Sequence, residues 1–145
     1  MLTVDELIAE MQRAWNAGDG AGWAANFAED AEFVDVVGRV QHGRETIARE
    51  HQKIFDTIYR GSRVEIRKVA ARPVGGDVLL VHTTSTLRVP SGPRAGDTHA
   101  VQTMVVRNGQ ILAFQNTIRS DMATFAKRDE DLARLSPLGW DRDSY

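Results

Sequence analysis

The chain has 145 residues, 42% of them apolar, with 18 Lys and Arg against 20 Asp and Glu. That length supports one domain, able to bury roughly 70% of its unfolded surface without staples. A net charge of −2 gives no broad attraction to nucleic acid or anionic membrane, and the lack of cysteine excludes disulfides, thiolate nucleophiles and Cys-ligated zinc or iron–sulfur centres. Met1 to Glu6 is acidic and is not followed by a long apolar stretch, so the expectation is a cytoplasmic protein with no membrane span.

In chain order, Val4, Leu7, Ile8, Met11, Ala14 and Trp15 recur at helical spacing, with Thr3 or Asp5 as cap. Ala17-Gly18-Asp19-Gly20 stops that helix. Asp19 caps a second one, predicted to carry Trp23, Phe27 and Ala28 and to end at Glu29-Asp30-Ala31. Glu32 to Val37 reads as a strand, with Phe33, Asp35 and Val37 on one face. Gly38 turns it and Arg39 to Gln41 return. Gly43 precedes a third helix striped by Ile47, His51, Ile54, Phe55 and Ile58. The second half reads as strands: Arg63 to Ala71, Val78 to Val89, His99 to Arg107 and Gln110 to Arg119. A turn cluster at 72–77, a Pro/Gly loop at 90–97 and an Asn108-Gly109 hairpin turn join them. The tail from Asp121 carries Met122, Phe125 and Leu132, and turns irregular around Ser136 to Trp140. The prediction is an α+β domain spanning 1–145, with a core at about 4–119 and a tail at 121–145. A curved antiparallel sheet covers three helices.

No phosphate-binding glycine loop, dinucleotide fingerprint or G-x-S-x-G elbow is present. The four histidines, His42, His51, His82 and His99, form no H-x-x-x-H pair, so no metal site and no cofactor is expected. Two residues stand out for chemistry. His51 interrupts an apolar stripe, as either a core histidine with one bonded nitrogen or a pocket-facing acid, base or donor. Asp35 lies among apolar neighbours. It is either a strand-end residue bonded to backbone or an arginine, or a desolvated general base with a raised pKa. Alternation in the later strands groups Leu80, His82, Thr84 and Thr86; Ala100, Gln102 and Met104; and Phe114, Asn116 and Ile118. If these faces are internal, His82, Thr84, Gln102 and Asn116 dot an apolar lining of the kind small-molecule pockets have. A one-residue slip would turn them outward.

Trp15-Asn16-Ala17-Gly18-Asp19, Trp23, Phe27 to Phe33, His42 to Ile47 and Phe114-Gln115-Asn116-Thr117 resemble NTF2-like, SnoaL-like domains. Within them the resemblance is closest to the SgcJ/EcaC group of bacterial polyketide and enediyne biosynthesis. It implies a cone: a curved sheet wrapped around helices, with an internal pocket. Ketosteroid isomerase is the catalytic relative for comparison, and its second-helix end and following strand align onto Ala28 to Gly38. That resemblance implies Asp35 as the general base. It sets Met11 and Gln102 at the oxyanion-hole positions and His51 at the third-helix tyrosine, so the base is kept and the strongest donors are replaced. It also implies that His82, Thr84, Met104 and Asn116 face inward.

Two functions follow. One is cofactor-independent proton transfer (isomerase-, cyclase- or dehydratase-like) on an apolar carbonyl compound such as a polyketide intermediate. Asp35 and His51 would be its catalytic residues. Trp15, Trp23, Phe27, Phe33, Phe55, His82, Thr84, Gln102, Met104, Phe114 and Asn116 would contact the substrate. The other is a binding protein that shields a hydrophobic intermediate without turnover. A third reading, an assembly domain, rests on the shared fold alone. The partner expected is a small hydrophobic molecule, with no nucleic acid and no membrane. A homodimer is also expected through an outer sheet face formed by Val81, Thr83, Ser85, Leu87, Val101, Thr103 and Val105.

Overall fold

Thr3 starts the first helix by a reciprocal cap. Its hydroxyl accepts from the Glu6 amide and Oε1 of Glu6 accepts from the Thr3 amide, both at 3.1 Å. In a computed structural model that describes residues 1–122 and 125, the order is α1 (Val4–Asn16), α2 (Gly20–Ala24), β1 (Phe27–Val34), β2 (Val40–His42), α3 (Arg44–Phe55), β3 (Arg63–Gly75), β4 (Val78–Val89), β5 (Gly96–Arg107) and β6 (Gln110–Ile118). The expectations for Leu132 and for Ser136 to Trp140 lie outside the described residues.

Asp19 caps α2 through its bond from the Gly22 amide at 2.9 Å. The helix stops at Ala24, earlier than its pattern suggested, because Phe27 already pairs with Ile111 of β6. Strand pairing that buries Phe27, Ala28, Ala31 and Phe33 overrides local helical preference there.

The six strands form one sheet in the order β2-β1-β6-β5-β4-β3. It is mixed rather than wholly antiparallel, since β1 runs parallel to β6 and every other pair is antiparallel. The chain reaches β6 only after the β3–β5 meander, so the sheet closes with its first long strand beside its last. Register shifts in β1, β3 and the β5–β6 pair bend the sheet. Asn108 (φ 52°) and Gly109 (φ 74°) supply the paired left-handed residues of the β5–β6 hairpin turn.

The helices cover one face from edge to edge. Edge strand β3 is held by α1: the Val64 amide donates to Oδ1 of Asn16 at 2.7 Å, and the Ile66 amide to Oε1 of Gln12 at 2.9 Å. At the other end, Nε of Arg44 in α3 donates to the Phe27 carbonyl at 2.7 Å. The core between the layers centres on Leu7, Phe27, Ile47, Met104 and Ile111, each at most 1% exposed. No helix among the described residues is long and apolar enough to cross a membrane.

One strand has its faces exchanged relative to the alternation reading. Across β4 and β5, Val81 pairs with Met104, Thr83 with Gln102 and Ser85 with Ala100. Directly opposed residues share a face. Thr83 and Val81 are 0% exposed, so the inner set of β4 is Val81, Thr83, Ser85 and Leu87. Leu80, His82, Thr84 and Thr86 lie on the outer side with Val101, Thr103 and Val105. The inner sets expected for β5 and β6 hold.

Candidate functional site

A cavity of about 360 Å³ opens between the helices and the inner sheet face. Its deep wall is aromatic and apolar: Met11, Trp15, Trp23, Phe33, Met104 and Phe114. These rings pack on one another, with Phe33 stacked on Phe114 at 4.7 Å and Trp15 edge-on to Trp23 at 5.3 Å. Nε1 of Trp15 donates to the Ser62 hydroxyl at 3.0 Å, which pins the ring at the wall. Nearer the opening lie Val36, Val37 and Arg39 of the β1–β2 turn, Ile58 and Tyr59 after α3, and Arg94 and Thr98 of the β4–β5 connection.

His51 stands at the centre of α3, 3% exposed, stacked on Trp23 at 5.3 Å and edge-on to Phe33 at 4.7 Å. Its Nδ1 lies 2.7 Å from the Ile47 carbonyl, and a carbonyl only accepts, so Nδ1 carries the hydrogen. Burial pushes the imidazole down to about 4; the Ile47 bond and the charges of Asp35 and Glu50 oppose the shift without reversing it. At neutral pH the ring is therefore neutral, and its Nε2 lone pair takes no hydrogen bond among the described residues. His51 is thus a core histidine with one bonded nitrogen that also lines the cavity.

Asp35 lines the cavity too, but not as a strand residue. The strand ends at Val34, and Asp35 closes the β1–β2 turn. Its Oδ1 accepts from the Val37 amide at 3.0 Å and the Arg39 amide at 2.9 Å, and Oδ2 from Nε of Arg39 at 2.9 Å. The side chain is only 13% exposed. Burial works to raise its pKa, yet the bonds from Arg39 and Val37 and the Arg39 charge outweigh it and hold the carboxyl below its ordinary value. The expected raised pKa is thus reversed: the apolar neighbours Val36 and Val37 stand exposed at the cavity opening, 38% and 74% accessible, and the turn supplies donors instead.

The sheet side carries a polar cluster that the sequence reading half found. Thr83 Oγ1 donates to Oε1 of Gln102 at 2.7 Å, and Nε2 of Gln102 donates to Ser85 Oγ at 2.9 Å and Oδ1 of Asn116 at 3.0 Å. Gln102 and Asn116 were expected here; Thr83 and Ser85 were missed. The cross-strand register with Gln102 is the signal that finds them. His82 and Thr84 are corrected out of the site, because both point from the outer face. Phe27 and Phe55 support the wall from the core behind it and do not line the cavity. Trp15, Trp23, Phe33, Met104 and Phe114 line it as expected. Nε1 of Trp23 and Oε1 of Gln41 are buried without a hydrogen-bond partner among the described residues. No cluster of three or more His, Asp or Glu among the described residues is arranged to hold a metal ion.

An α+β cone with a single-layer sheet and an aromatic internal cavity defines the NTF2-like class, and the comparisons agree. The SnoaL-like domain family matches residues 8–114, so the chain belongs to that family. It is similar to a Nostoc punctiforme domain of unknown function with a cystatin-like fold, at 29% identity and TM-score 0.76 over 94% of this chain and 90% of that one. An uncharacterized Caulobacter vibrioides protein of cystatin-like fold is 25% identical with TM-score 0.72, over 86% and 92% of the two chains. A ketosteroid isomerase-like protein from Erwinia carotovora atroseptica shares the fold at 12% identity and TM-score 0.67, over 81% and 94%. No curated protein matches the chain.

Proposed function

We propose that the chain binds a small apolar molecule carrying an oxygen function. The observation that carries this reading is a contrast within the cavity wall. Apart from the charged side chains Asp35, Arg39, Glu50 and Arg94, the lining is mainly aromatic and aliphatic, and its polar groups gather chiefly at Thr83, Ser85, Gln102 and Asn116 on the sheet, with His51 on the helix. Ser85 keeps its hydroxyl hydrogen and Asn116 its amide hydrogens for a carbonyl oxygen, while His51 accepts from a hydroxyl. A keto or hydroxyketone compound, such as a polyketide intermediate, suits that set. The resemblance to the SgcJ/EcaC group supports the same substrate class.

Proton transfer on such a molecule is the second reading, favoured because Asp35 and His51 line one cavity. Asp35 would take a proton α to the carbonyl, leaving an enolate held by Ser85 and Asn116, and return the proton at the conjugated carbon. A carboxylate with three hydrogen bonds and a lowered pKa is a poor base, so this reaction needs Arg39 to release it. Binding without turnover therefore ranks first.

Titration with apolar ketones, followed by quenching of Trp15 and Trp23 fluorescence in a Trp140→Phe background, tests the first reading. Affinity weaker than about 1 mM for every apolar ketone, a free energy near −4 kcal/mol, would sink it. Exchange of the ketone's α-hydrogens in heavy water, lost in Asp35→Asn, would promote the second reading over the first.

The outer sheet face supports a two-fold dimer as part of this proposal. Its composition is Leu80, His82, Thr84, Val101, Thr103 and Val105, half-buried and largely uncharged.

A further inference from the structure

We propose that the cavity selects an acid: its ligand carries a carboxylate at the mouth, bound by Arg94, with the apolar body and oxygen function extending inward. The inference rests on the cavity being a ligand site and names the class of ligand more closely.

The reason is the charge left at the opening. Two arginines and two carboxylates line the cavity. Arg39 is held by Asp35 at 2.9 Å, and Glu50 by Lys53 at 3.1 Å. The nearby Asp97 lies 3.7 Å from Arg88. Arg94 has no carboxylate partner among the described residues; its one hydrogen bond there runs from Nη2 to the Thr98 hydroxyl at 3.3 Å. A half-buried guanidinium lining a largely apolar cavity, bonded among the described residues only to a neutral hydroxyl, retains donors in the fork geometry that a carboxylate fills.

Spacing adds a second constraint. Thr98, Ala100 and Gln102 follow one another along the inner face of β5. Thr98 at the mouth is therefore roughly 14 Å along the strand from the Gln102 cluster, at about 3.4 Å per residue. An extended, medium-length apolar chain spans that interval, with an anion at one end and an oxygen function at the other. On the sheet that interval is lined by Leu87, Ala100 and Ser85, none of them charged, and such a wall will not favour charge farther in.

Isothermal titration with two matched probes, decanoate and decan-2-one, tests this on the full chain. Wild type is expected to bind decanoate about tenfold more tightly than the ketone, the size of one partly exposed charge-assisted contact. In Arg94→Gln the ratio falls to about one, and in Arg94→Lys a preference for the acid returns in part. A thermal melt confirms that each variant is folded. If the ketone binds and the acid binds no better, or if the preference survives in Arg94→Gln, the acid proposal is overturned while the ligand-site reading stands. If neither probe binds, both fall.

Discussion

Nε of Arg39 donates to Oδ2 of Asp35 at 2.9 Å across a turn in which Oδ1 of the same carboxylate already caps the amides of Val37 and Arg39. The carboxylate that the family resemblance offers as a general base is thereby the peg that closes the β1–β2 hairpin. This gives the first expectation. Asp35 titrates below its ordinary 3.8, so the stability it contributes is complete above that value and is lost as pH falls through the lower, folded one. NMR titration of the side-chain carboxyl carbon measures it, and Arg39→Ala should move the midpoint upward. A wild-type midpoint above 3.8 contradicts the geometry.

His51 makes a larger pH effect. Its folded value near 4 lies below the ordinary 6.5, so between those limits the unfolded chain binds a proton that the folded chain refuses. Stability therefore rises with pH across that window and is lost as pH falls from 6.5 toward 4, by about 3 kcal/mol at most. Urea unfolding at pH 7 and pH 5 should show the drop in wild type and a smaller one in His51→Phe. Equal drops would place the effect elsewhere.

Gln102 joins three polar side chains across β4, β5 and β6, so its loss strands all of them. Gln102→Leu is expected to cost about 2–4 kcal/mol, more than Ser85→Ala, because Thr83 and Asn116 are left facing an apolar group. Shifts in the urea midpoint at constant slope rank the two variants. A near-neutral Gln102→Leu would mean that water replaces the network.

Gly20 is where α2 meets α3. An added Cβ would lie 2.6 Å from the Ala48 carbonyl oxygen and 2.9 Å from Cβ of Gln52, whose Oε1 also accepts from the Gly20 amide at 2.8 Å. Gly20→Ala should destabilise by about 2 kcal/mol or more through overpacking, despite alanine's better helix propensity. A thermal melt decides the sign.

The outer sheet face makes an assembly test. Light scattering at micromolar concentration should give the mass of a dimer, and Thr103→Arg on that face should give a monomer. A wild-type monomer removes the proposed two-fold contact.

The sequence alone settled the α+β architecture. The Thr3 cap, the stripe of α3 as far as Phe55, the β-branched run from Val78 to Val89 and the Asn108-Gly109 turn are local signals that appear in the structure where their residues stand, while Ile58 falls beyond the helix end. It also brought Trp15, Trp23, Phe33, His51, Gln102 and Asn116 to one cavity. The orientation of β4 was out of its reach. Both alternating sets of that strand mix β-branched and hydroxyl residues, so composition cannot choose between them. The pairing of Thr83 with Gln102 makes the choice, and that pairing depends on how the loop at 90–95 delivers β5. Asp35 was ambiguous for a related reason. Its neighbours in sequence are apolar, but its electrostatics are set by Arg39, which approaches only once the turn has formed. Periodicity reports which residues can share a face; the partner strand decides which face is buried, and folding decides which charges meet.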